Sequence, residues 1–81
     1  MSTLMNDKLI NELRAEQQSL FPDGCPAQPR GSAKTRMHLS LFLRYCAYDL
    51  MCQLYESIDE EVTLESAHKS IEEFVVGMMP D

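Results

Sequence analysis

No run of apolar residues in this chain approaches the roughly 18 that a membrane-spanning helix needs. The longest apolar segments are broken by charge, so a membrane protein is not expected. Paired cysteine spacing is missing. Cys25, Cys46 and Cys52 make an odd set without close spacing, which excludes a disulfide framework. No basic stretch followed by an apolar stretch opens the sequence, so a secretion signal is not expected and the reduced cytoplasm is the expected location. Internal repeats, heptad arrays and low-complexity tracts are also missing. Tryptophan is absent, whereas methionine, at six, is frequent and suits adaptable contact surfaces.

Basic charge is the other shortage. Seven Lys and Arg stand against thirteen Asp and Glu, a net charge of −6. Such a chain is repelled by nucleic acid at long range unless its bases are segregated. They are partly segregated. Residues 1–21 carry −1, residues 22–45 carry +3, and residues 46–81 carry −8. At 81 residues and 9.3 kDa the chain makes one domain, with a core small enough that a partner or a second copy would help it considerably.

What is present is helical periodicity. The pattern predicts an all-α fold, a three-helix unit over residues 1–81 with helices at about 3–20, 34–56 and 64–79. In the first helix Met5, Leu9, Ile10, Leu13 and Leu20 form one apolar stripe, and Ser2 or Thr3 can cap its start. The segment 21–33 contains "PDG" and three prolines, so it is a loop. It is long for so small a domain, as functional loops often are. Thr63 can cap the third helix, whose apolar side holds Leu64, Ala67, Ile71, Phe74, Val75 and Met78. Gly77 and Pro80 mark its end.

The middle helix poses the main question, because it is apolar on more than one side. Leu39, Leu43, Cys46, Leu50 and Leu54 share one face. Leu41, Tyr48 and Tyr55 share another, bordered by Met37, Tyr45 and Cys52. The simplest division packs the leucine stripe inside the monomer and leaves the tyrosine stripe for a second neighbour. Tyrosine and methionine are enriched at interface centres. A helical homodimer through the tyrosine stripe would satisfy both faces.

Catalytic and metal chemistry find little support. Cys46 and Cys52 lie six residues apart, about 120° around a helix, and His38 sits on a different stripe from Cys46. No metal or cofactor is expected. Cys25 has Arg30 and Lys34 downstream but no accompanying base, so no nucleophilic site and no enzyme activity are expected. "AHKS" around His68 faintly resembles a phosphoacceptor histidine, but acids crowd it and an exposed helix histidine is the reading. "IDEEVT" lacks the alternating ligands and central glycine of a calcium loop.

The function expected is regulatory: a small acidic adaptor or inhibitor that binds another protein, one with a basic surface. Tyr45, Tyr48, Cys52 and Tyr55 would supply apolar contact, and Glu60, Glu61, Glu72 and Glu73 would steer. Two alternatives stand beside it. One is a DNA-binding transcriptional regulator that uses Arg30, Lys34, Arg36 and Arg44 for anion binding. The other is a secretion-type chaperone that holds its substrate on the same apolar stripe. A simpler use for the basic segment is to complement the acidic C-terminal helix.

Overall fold

The Asn6 side chain fixes where two helix ends meet. A computed structural model describes residues 5–26 and 35–79. Among these the chain is all-helical and without strands, a three-helix unit of α1 (Asp7–Leu20), α2 (Thr35–Ser57) and α3 (Leu64–Met78). Ser2 and Thr3, expected to cap α1, lie outside the described residues, and the helix starts after Asn6. Asn6 does not cap its own helix with its side chain. Its Nδ2 donates to the carbonyls of Tyr55 at 3.2 Å and Glu60 at 2.9 Å, and its Oδ1 accepts from the Val62 backbone N–H at 2.9 Å. One amide thus ties the start of α1 to the end of α2 and to the segment that enters α3.

The other boundaries follow ordinary chemistry. α1 stops where the "PDG" turn begins. The Gly24 N–H returns to the Phe21 carbonyl at 3.0 Å, with Gly24 at φ +88°, a conformation that costs glycine little. α3 starts as the sequence predicts. Thr63 is extended, and its Oγ1 accepts from the Ser66 N–H at 3.1 Å, while Glu65 occupies the first turn, where the helix dipole favours negative charge. Gly77 lies inside α3 and does not end it; Pro80 lies outside the described residues.

α2 is the central element and packs against both neighbours. α1 runs antiparallel to it, with Asn6 beside Tyr55 and Phe21 beside Tyr45. The core draws Leu9, Ile10 and Leu13 from α1, Leu43, Ala47, Tyr48, Cys52 and Tyr55 from α2, and Ala67, Ile71 and Val75 from α3. Ala47, Cys52 and Ala67 are fully buried small side chains, which let the helix axes come close.

This reverses the expected division of α2. Tyr48, Cys52 and Tyr55 are core residues, whereas Leu50 and Leu54 of the leucine stripe stand 50% and 48% exposed. The reason is geometric. α1 and α3 together cover one broad side of α2, and that side is centred on the tyrosines. The leucines on the opposite side receive only partial cover: Leu43 is buried, and Leu39 packs against the edge of the core. The N-terminal part of the tyrosine stripe also stays open. α1 ends opposite Tyr45, so Leu41 and Met37, further toward the start of α2, are exposed.

Candidate protein-interaction face

Leu39, Cys46, Leu50 and Leu54 lie within an arc of about 80° on α2 and span about 22 Å of its length. Each is exposed or half-buried. Leu43 falls within the same arc but is buried, and Phe42, half-buried, flanks it. The exposed part of the strip is Leu50 and Leu54, one turn apart, while Leu39 packs against the core and Cys46 is half-buried. Single exposed leucines are common, but an aligned row on one helix is a candidate contact surface.

The residues expected to carry partner binding are divided by the fold. Tyr48, Cys52 and Tyr55 offer no surface, being in the core. Tyr45 is half-buried, with its ring edge-on to Phe21 at a centroid distance of 5.4 Å and an interplanar angle of 80°. Glu60, Glu61, Glu72 and Glu73 are all exposed. Glu72 is already engaged: both guanidinium nitrogens of Arg44 donate to its carboxylate, with Nη2–Oε2 at 3.2 Å. That bond holds the Glu72 carboxyl below its ordinary range and raises the Arg44 guanidinium.

Of the possible anion-binding set, only Arg36 and Arg44 lie among the described residues. Arg30 and Lys34 lie outside the described residues, Arg44 is committed to Glu72, and Arg36 is exposed near the start of α2. Arg14, on α1, is similarly committed. It pairs with Asp49 and donates to Gln17 Oε1 at 3.0 Å, while Gln17 Nε2 reaches the Tyr45 carbonyl and Asp49 Oδ1, both at 3.2 Å. Gln17 is buried, yet its polar atoms are satisfied. Among the described residues no buried side-chain nitrogen or oxygen lacks a partner. Nor does any group of three His, Cys, Asp or Glu side chains converge there. No helix among the described residues is long and apolar enough to cross a membrane.

Glu16 is a second junction that periodicity does not reveal. Its Oε1 accepts from the Tyr48 hydroxyl at 3.1 Å and lies 2.7 Å from His68 Nε2. All three helices meet at this carboxylate. His68, the faint phosphoacceptor candidate, is thus a structural partner of α1. The Tyr48 phenol is pushed up to about 12, first by burial and then by its hydrogen bond to Glu16. The protonated phenol is the form that folds. Its stabilisation is intact below the ordinary tyrosine value near 10 and declines as pH rises from there toward 12. Tyr48→Phe should therefore cost about 1 kcal/mol at neutral pH through the lost hydrogen bond. Urea melts at rising pH should show that deficit closing between pH 10 and 12; a constant deficit would mean the phenol does not titrate with folding.

Two shallow, wide-mouthed depressions lie on the surface of the described residues. One, about 360 Å³, is walled by Arg14, Gln17, Phe21, Gly24 and Tyr45, and the other, about 370 Å³, by Met5, Lys8, Glu12 and Val62. Neither encloses a small molecule in the manner of a buried ligand pocket. No protein-family model, curated protein or solved structure matches the chain.

Proposed function

We propose that this chain is a small acidic adaptor or inhibitor that docks a basic, amphipathic helix of another protein on the leucine face of α2. The observation that carries the reading is the half-exposure of Leu50 and Leu54 in line with Leu39 and Cys46. Helix-in-groove and helix-on-helix contacts are made by such i, i+4, i+7 rows of apolar anchors. Charge supports the choice of partner. Arg14 and Arg44 are bound to acids of the same chain, whereas Glu56, Glu60, Glu61, Glu65 and Glu73 are exposed. A basic partner would meet a negative field on approach and an apolar ridge on contact.

A synthetic helical peptide with leucines at helical spacing and lysines elsewhere provides the test, with a scrambled peptide as control. Fluorescence anisotropy should show binding of the patterned peptide that weakens by about tenfold when Leu50 and Leu54 are both replaced by Ala. Equal binding of both peptides, or no effect of the double substitution, would remove the reading. Light scattering on the unmixed chain separates a further occupant. A dimer abolished by Leu50→Glu would assign the face to a second copy, through the leucine stripe and not through the tyrosine stripe that the sequence suggests. Retention on random DNA that falls steeply with salt and is lost in Lys34→Ala with Arg36→Ala would favour the DNA-binding alternative.

A further inference from the structure

α1 is held differently from the other two helices. Its apolar anchors, Leu9, Ile10 and Leu13, all lie in its first two turns. Beyond them it is tied by polar side chains: Arg14 to Asp49, Glu16 to Tyr48 and His68, and Gln17 to the Tyr45 carbonyl and Asp49. Among the described residues the buried polar side chains are Asn6 and Gln17, which bracket this helix. Each of these bonds can be exchanged for one to water, and the Arg14–Asp49 pair is already half-exposed, so their net hold is small. α2 and α3 bring Leu43, Ala47, Ala67, Ile71 and Val75 to the core, and Arg44 bridges the two at Glu72.

α1 covers one line of α2. Tyr45, Tyr48 and Asp49 each bond it, and Tyr55 bonds Asn6 just ahead of it. Cys52 lies among them, fully buried, one turn from both Tyr48 and Tyr55 and nearly opposite Leu50 and Leu54. We propose that α1 is a displaceable cover: it leaves α2 as a unit while α2 and α3 stay packed, and an amphipathic helix of another protein, patterned like α1, docks on the uncovered line.

What fits that line is visible in α1 itself. The line takes apolar residues at the spacing of Leu9, Ile10 and Leu13. It takes a carboxylate where Glu16 meets Tyr48 and His68, and beside it an amide where Gln17 meets the Tyr45 carbonyl. Residues 21–34 tether α1 to α2, so α1 competes at an effective concentration of about a millimolar. A partner helix reaches only the fraction of chains that are open, which makes α1 an autoinhibitory contact. The line is on the side of α2 away from the leucine face and does not depend on what docks there.

Cys52 is the probe of opening, because it is buried on the covered line whereas Cys25 is exposed and Cys46 half-buried. The full chain is treated with iodoacetamide in native buffer, and modification of Cys52 is followed by peptide mapping. Cys52 should react faster than global unfolding allows, and with a weaker dependence on urea than the global melt. Two matched variants separate the helices. Ile10→Val and Ile71→Val each remove one buried methylene, from α1 and from α3, and each should raise the globally unfolded fraction about fivefold. Only Ile10→Val should also speed the native reaction of Cys52, by a similar factor. If both variants speed it alike, or if its rate equals that of global unfolding, the cover is overturned. A synthetic peptide of residues 5–20 at about 0.1 mM should occupy the uncovered line and slow Cys52 in the parent chain about tenfold, whereas a scrambled peptide should not. If the two peptides act alike, docking on that line is overturned, whatever binds the leucine face.

Discussion

Replacing Asn6 with alanine should cost about 2–4 kcal/mol, far more than its position near the start of a first helix suggests. The side chain is 2% exposed and makes three hydrogen bonds, to the carbonyls of Tyr55 and Glu60 and from the N–H of Val62. The Tyr55 carbonyl is one of the last in α2 and has no partner within the helix beyond it. Alanine would leave that carbonyl, the Glu60 carbonyl and the Val62 N–H to find water at a partly buried corner. Each net bond is worth about 1 kcal/mol, and the groups left behind add to the loss. Domains of this size hold about 4–12 kcal/mol in all, so the melt should move visibly. Asn6→Asp discriminates a hydrogen-bond effect from a packing effect. Aspartate can still accept from Val62 but cannot donate to the two carbonyls while ionised. It should be at least as damaging as alanine at neutral pH and recover partly in acid, where the protonated carboxyl can donate. Melts in urea at two pH values read this out. If Asn6→Ala shifts the midpoint no more than an ordinary surface substitution, the corner is not the tie described here.

The same corner shows what the sequence made legible and what it did not. The helices themselves could be read because Leu9, Leu13, Ala67, Ile71 and Val75 recur at helical spacing and are buried as that spacing requires. The Thr63 cap could be read because a hydroxyl before a periodic segment has one common use. Asn6 could not, because its partners lie 49 to 56 residues away and no local pattern encodes them. Glu16 escaped for the same reason: it looks like a solvent-facing acid until Tyr48 and His68 arrive beside it. The division of α2 failed for a different reason. The helix is apolar on more than one side, so periodicity reveals several stripes without ranking them. Only the placement of α1 and α3 decides which stripe is covered, and that placement is set partly by polar ties such as Arg14–Asp49 and Arg44–Glu72.

Tyr48→Ala and Leu54→Ala, made side by side, should give opposite results, and the contrast tests both the fold and the face. Tyr48 is 5% exposed, packs in the core and bonds Glu16 at 3.1 Å. Truncating a buried aromatic costs about 3–5 kcal/mol, enough to unfold much of a chain this small. Leu54 is 48% exposed, and its truncation should change stability by less than about 1 kcal/mol. For the leucine–lysine peptide the order reverses among folded chains. Leu54→Ala should bind more weakly while melting like the parent. Tyr48→Phe, which keeps the ring and lacks only the hydroxyl, should bind like the parent. Under the sequence-based division, with tyrosines outward, Tyr48→Ala would stay folded and lose binding. A folded Tyr48→Ala chain that no longer holds the peptide would therefore return the tyrosine stripe to the interface and put Leu50 and Leu54 inside. The reason to expect otherwise is covalent as well as energetic. Tyr48, Cys52 and Tyr55 project to the same side of one helix, and that side is already occupied by Leu13 of α1 and Ile71 of α3. No partner can reach those tyrosines without first displacing a helix of the fold.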